Sequence, residues 1–398
     1  MRCRTMGAMN GARNELTAGR KSWARSVCCA AASVPILGIA LTACSAPMPT
    51  TDVTDTDAWV SDAGVTDVSD SSNLDASDAR DGAPDATDAS RDAPPEDALT
   101  YPDGPVRLSE TGLYADISTG TLAAGVARFT PRFELWSDGA EKTRYLLLPP
   151  GTRIDTSDMD NWVFPIGTRV WKEFRMAGRR IETRLIQRVG EGPGGWFHVA
   201  YEWNDTETDA VAVPAGRDAA RGTALRIPSQ VECRRCHEGV RDFVIGVSAI
   251  QLTSVSAPSG LADFIARGWL TNPPASEPVV PGDDVERAAL GYLHGNCGHC
   301  HNETLTLTGV QSLHARLSVL DTDVRSTSTY VTSIGIPARH SPLLGTDTIV
   351  VPGAPARSQL WVRMGVRDPD SMPPVGTLRV DDVGRETVRR WIAALPPM

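Results

Sequence analysis

Two short motifs constrain this chain more than any other feature: Cys233-Arg234-Arg235-Cys236-His237 and Cys297-Gly298-His299-Cys300-His301. In each, two thiols stand three positions apart and an imidazole follows at once. On one helical turn this spacing sets the sulfurs on successive sides with the ring next to them, an arrangement suited to covalent attachment or metal binding. The other four of the eight cysteines, Cys3, Cys28, Cys29 and Cys44, all lie near the N-terminus, so a disulfide framework is not expected.

Charge divides the chain as sharply. Residues 1–50 carry a net +5 and residues 51–100 a net −12, so that only −3 of the total −10 belongs to residues 101–398. The near-neutral body gives no support to nucleic-acid binding. With 29 Pro and 35 Gly the chain is neither a coiled coil nor a multi-span membrane protein.

Residues 1–43 read as an export signal, with Arg2, Arg4, Arg13, Arg20, Lys21 and Arg25 ahead of an apolar run from Val27 to Leu41 that is short for a membrane span. The run ends Leu41-Thr42-Ala43-Cys44, which resembles the lipobox of bacterial lipoproteins. That resemblance implies cleavage before Cys44, acylation of its thiol, and an anchor in the bacterial cell envelope. Ser45 behind it favours the outer membrane by similarity to enteric lipoproteins, with the body in the periplasm or at the cell surface. Residues 44–105 are Asp, Ala, Ser, Thr and Pro with scarcely any large apolar side chain, and predict a disordered tether.

The fold class expected for the rest is α+β: an antiparallel β-rich domain over 106–220, then a mainly helical part made of a first motif segment, 221–283, and a second domain, 284–398. Strands are predicted over Arg132–Trp136, Thr143–Leu148, Trp162–Pro165, Thr168–Met176, Arg179–Arg188, Trp196–Asn204 and Asp209–Val213, with a tight turn at Ala177-Gly178. Trp136, Trp162, Trp171, Trp196 and Trp203 are expected in the core more than on a binding face, and His198 as a satisfied histidine. Asp155, Asp158, Asp160, Glu202, Asp205, Glu207 and Asp209 form no spacing that selects an acid/base pair, and read as turn and surface residues.

At the motifs, Cys233, Cys236, Cys297 and Cys300 suit thioether bonds to the two vinyl groups of two haems, with His237 and His301 as the proximal iron ligands. Zinc is the chemical rival for four thiols and two imidazoles, although the 64 residues spanning the motifs fit compact zinc folds poorly. Asp283 and Glu286 predict a capping box for a helix running to Asn296. Asp381-Asp382 open a C-terminal helix with Val388, Trp391, Ile392 and Leu395 on one face, and Ser371-Met372-Pro373-Pro374 lies between the two.

On these residues 284–396 resembles the class I cytochrome c domain, in which a helix before Cys-x-x-Cys-His crosses a C-terminal helix. The resemblance implies His301 as proximal and Met372 as distal ligand, and a high-potential centre. Residues 302–351 exceed what compact members of that family need and predict an insertion of short strands. Met364, in a helical stretch, is expected to pack in the core. No methionine follows the first motif within its own segment, so its iron is either five-coordinate or bound from elsewhere. His294, His299, His314 and His340 are the free histidines on the motif-bearing half, and His299 is expected to face solvent.

The longer pattern, including Leu135-Trp136-Ser137-Asp138-Gly139 and Tyr201-x-Trp203-Asn204-Asp205, resembles a group of secreted bacterial haem-binding proteins over about 105–398. The expected function is one-electron transfer by a membrane-tethered dihaem c-type cytochrome to an unknown redox partner protein, with no nucleic acid involved. Two alternatives stand beside it: a peroxidase-like or other haem-dependent oxidoreductase using an open first haem, and a β-rich binding module that localises an electron carrier.

Overall fold

Alternation of large apolar and charged side chains over 141–203 produces the central feature, a six-stranded antiparallel sheet whose strands follow one another in chain order. The computed structural model describes residues 104–253, 259–303, 313–339 and 345–397, all within a compact unit spanning Pro84–Met398. The expected signal peptide, Cys44 and almost all of the tether lie outside the described residues. The strands are β3 (Ala127–Phe129), β4 (Glu141–Leu147), β5 (Arg169–Met176), β6 (Arg179–Arg188), β7 (Trp196–Trp203) and β8 (Ala210–Ala212), preceded by a small hairpin of β1 (Tyr114–Asp116) and β2 (Thr121–Leu122). Between β5 and β6 the predicted turn holds: Ala177 (φ 49°) and Gly178 (φ 78°) both take the left-handed conformation that matches the twist of the flanking strands.

Both faces of the sheet are buried, which is why β7 reads as a nearly continuous apolar run. On one face Tyr145, Trp171, Leu185 and Val199 stand in register and pack with Leu108, Leu113, Tyr201 and Trp203. On the other, Leu146 and Val170 join Phe243, Val247, Leu252 and Phe264 from the segment after the first motif. Trp162, Trp171, Trp196 and Trp203 are core residues as expected, while Trp136 is partly exposed and donates its indole N–H to the Arg379 carbonyl at 3.2 Å.

Six α-helices follow among the described residues: α1 (Gln230–His237), α2 (Leu261–Ala266), α3 (Asp284–Asn296), α4 (Ser328–Ser333), α5 (Gln359–Met364) and α6 (Asp382–Ala394). Complete capping boxes start α1 (Ser229 with Glu232) and α3 (Asp283 with Glu286), satisfying backbone donors that the first turn leaves unpaired. Ala289 and Leu293 of α3 meet Val388, Trp391 and Ile392 of α6 in one core. The approach is close enough that a Cβ on Gly384 would stand 2.1 Å from the Tyr292 ring.

Three expectations change. Residues Arg132–Trp136 are not a strand. Their N–H groups serve the helical half, Arg132 to the Gln251 carbonyl (2.6 Å) and Trp136 to Asn296 Oδ1 (2.7 Å), while the Phe133 ring fills the space left by Gly291 on α3. Trp162–Pro165 pairs only through the bridge Asp155–Val163, since Phe164 gives its N–H to Asp242 and Pro165 has none to give. Within 302–351, the described residues hold α4 and the isolated bridges Ile334–Val350 and Pro337–Thr348 in place of short strands. No helix among the described residues is long and apolar enough to cross a membrane.

Candidate functional site: two facing Cys-x-x-Cys-His turns

The first motif ends α1, which puts Cys233, Cys236 and His237 within little more than one helical turn. The helix is docked on β7 by a reciprocal pair: His198 Nε2 lies 3.0 Å from the Gln230 carbonyl, and Gln230 Nε2 donates to the His198 carbonyl at 2.9 Å. His198 is thereby the satisfied histidine expected. His237 Nδ1 lies 2.5 Å from the Phe243 carbonyl, a contact that orients the ring and leaves Nε2 as the free nitrogen. Phe243 reaches this position with a left-handed backbone (φ 58°) that a bulky residue rarely adopts. It is held there by stacking on Trp196 (centroids 6.1 Å apart, 21° between planes). Behind it Asp242 accepts from Arg188 Nη1 at 2.9 Å, with both side chains at most a tenth exposed.

The second motif continues α3: Cys297 caps the helix, and Cys300 and His301 each donate a backbone N–H to the Cys297 carbonyl, at 3.0 and 2.8 Å. A neighbouring chain segment lies directly against this turn, Ala315 donating to the His301 carbonyl at 2.8 Å. Gly298 is required by that approach, because a Cβ there would stand 2.7 Å from the His294 carbonyl oxygen and 3.1 Å from the Arg316 Cα.

The turns, distant in sequence, face each other. Ligand atoms of Cys236, His299 and Cys300 all lie within 4.8 Å of one another. Asn302, 2% exposed, donates to the carbonyls of Gly298 (2.8 Å) and His299 (3.2 Å) in its own turn and of Gly239 (2.8 Å) behind the first. It locks the two together, and no motif in the sequence points to it. Asn302→Ala is expected to cost ~1–3 kcal/mol by leaving the buried Gly239 carbonyl without this donor; urea unfolding of purified protein measures it.

His299 corrects the expectation of a solvent-facing residue: it is 8% exposed, and its Nδ1 is buried with no hydrogen-bond partner among the described residues. The sequence offered no hint, because the burial comes from the opposite turn. His301 Nδ1 is likewise buried and unpartnered.

Burial sets the protonation of both proximal candidates. It pushes the His237 and His301 imidazoles down to about 4, against the pull of the Phe243 and Leu313 carbonyls, so both are neutral and ligand-ready near pH 7. Burial also pushes the Cys233 and Cys297 thiols up to about 12. Cys300 donates to Cys236, which holds Cys236 below and Cys300 above the usual thiol range. All four cysteines are free thiols.

Of the remaining candidates, Met364 is buried among Leu360, Trp391 and Cys297, as its place in a helical stretch predicts. Met372 is half-buried in the loop before α6, its N–H donating to the Arg363 carbonyl at 3.0 Å. His294 accepts the Leu317 N–H on Nδ1 at 3.0 Å. His314 lies within the described residues and His340 outside them. Among the named acids Asp160 accepts from Ser318 (2.6 Å) and Val319 (2.9 Å), and Asp209 from Ser109 (2.8 Å), whereas Glu202 is no turn residue: it lies half-buried on β7 and pairs with Arg217 at 2.7 Å.

The donor sets fit haem at each turn: two cysteine sulfurs, an imidazole kept neutral by burial, and, at His237, the second ring nitrogen already committed to a carbonyl. Two cavities adjoin the turns. One of about 60 Å³ reaches His294, Gly298 and His299, and one of about 220 Å³ lies between Arg188, Trp196 and Phe243. Comparison with known protein families, with curated proteins and with solved structures finds no match to this chain.

Proposed function

We propose that this chain is a dihaem c-type electron carrier of the bacterial envelope, anchored through lipid on Cys44 and exchanging electrons with a redox partner protein. The observation that carries the reading is the pair of Cys-x-x-Cys-His turns, each placing its thiols and imidazole at the C-terminal end of a helix and each facing the other. Haem, when bound, supplies a one-electron couple. The chain's own residues do the rest. Cys233, Cys236, Cys297 and Cys300 provide covalent attachment, and His237 and His301 provide neutral imidazoles. Phe243 fixes the ring of the first, and Asn302 keeps the turns together, so that an electron has a short path between the centres.

Met372 is the proposed distal ligand of the second centre, since thioether ligation suits a low-spin, high-potential carrier. Absorption spectra of the purified protein test this directly. Two low-spin haems are expected, with a thioether-to-iron band that Met372→Ala abolishes. A high-spin signal that shifts with peroxide would favour the oxidoreductase, and persistence of the band in the variant would reassign the ligand.

One observation favours a second reading. Cys236, His299 and Cys300 present three donors to a common point, a set that zinc accepts with its fourth position open. Metal analysis of the purified protein separates the readings, because a zinc protein would carry stoichiometric zinc and no covalent haem.

A further inference from the structure

One row of the sheet carries an excess of charge on a buried face. Arg144 on β4, Lys172 on β5 and Arg184 on β6 are direct cross-strand neighbours, and the row ends at Ala200 on β7, beside the docking point of α1. All three side chains therefore project from the face against which the first motif lies. Arg184, at the motif end, is within electrostatic reach of the Cys233 thiol and is bound by Glu182 through two contacts, 2.6 and 3.0 Å. Arg144 and the neighbouring Lys142 share a single carboxylate, Glu134, at 3.2 and 3.6 Å.

Lys172 is different. Among the described residues it forms no ion pair and donates no hydrogen bond, and its ammonium rests 5.0 Å from the centre of the Phe174 ring. Four cations thus face the two carboxylates that pair with them, Glu134 and Glu182, and Asp381 lies within electrostatic reach of Lys142, so the charge of Lys172 is left over. A half-buried surplus of this kind is costly unless an anion completes it. Burial first, then Arg144, Arg184 and Lys142, push the Lys172 ammonium well below the usual lysine range, so an anion beside it is what would keep it charged.

The geometry gives the anion a place. Strands in a sheet are ~4.8 Å apart, so Lys172 and Arg144 lie about one and two strand spacings beyond Arg184, away from the thiols. A haem tied at its vinyl edge to Cys233 and Cys236 carries its two carboxylates at the opposite edge. We propose that Lys172 and Arg144 bind the two propionates of the first haem, an inference that rests on the dihaem reading. The shared chemistry is a pair of carboxylates, and a free dicarboxylate is the other possible source.

The test uses full-length holoprotein, with covalent haem counted first and both midpoint potentials then measured by spectroelectrochemical titration. Lys172→Met is expected to retain both haems and to lower one midpoint potential while the other stays. Removing the cation leaves a propionate charge uncompensated, which favours ferric iron. Lys172→Arg is expected to restore the wild-type value. Two haems with both potentials unmoved in Lys172→Met would overturn the assignment. A saturable shift of the wild-type potential on adding succinate would overturn it in favour of a free dicarboxylate. Absence of covalent haem from the wild type would instead bring down the dihaem reading itself, a failure visible before any potential is measured.

Discussion

A chain carrying Cys233→Ser together with Cys236→Ser is expected to hold half the covalent haem of the wild type, measured on denatured, reduced protein, while the second turn keeps its own. Thioether formation needs sulfur, and a hydroxyl at the same place cannot replace it. The reciprocal pair, Cys297→Ser with Cys300→Ser, is expected to lose the other half, and removal of all four cysteines the whole. Single variants discriminate against zinc. Because Cys233 is not among the three donors that converge with His299, a zinc site would survive Cys233→Ser and fail in His299→Ala, whereas covalent haem would show the opposite sensitivity.

Arg188→Met is expected to destabilise the protein by about 3–5 kcal/mol, the usual cost of removing one partner of a buried ion pair. Arg188 is 7% and Asp242 10% exposed at the side chain, and the guanidinium also serves the Phe164 carbonyl and Glu191 (2.7 Å). Without it Asp242 keeps the Phe164 N–H and the Trp196 indole. Burial already holds the Asp242 carboxyl above its ordinary range, and loss of Arg188 would push it higher. A carboxyl whose folded pKa is raised contributes stability at low pH that disappears as pH rises through that value. The deficit in the variant is therefore expected to grow from acid toward neutral pH, as denaturant midpoints would record. The consequence reaches the site: Asp242 precedes Phe243, whose carbonyl orients His237.

Much of the fold is legible where interactions are local. The strand Arg179–Arg188, the two-residue turn before it, and the helix opened by Asp283 and Glu286 and ending at Asn296 all follow from neighbours a few positions apart. Arg132–Trp136 has the alternation of a strand and yet is a loop, because its N–H groups find partners on residues more than a hundred positions away. The short strands β1, β2 and β3 carry too few residues for their pattern to stand out.

The site divides in the same way. By itself, the sequence determined which atoms are available: four thiols and two imidazoles at the spacing of a helical turn, and the capping residues that start the helices bearing them. Those choices rest on chemistry and on contacts within one turn. Only the tertiary structure decided that Cys236 and Cys300 come together, that His299 is buried between the turns, that Asn302 binds both, and that Lys172 stands in a surplus of positive charge. Each of these depends on a partner supplied by a distant part of the chain, and residue spacing carries no record of such a partner.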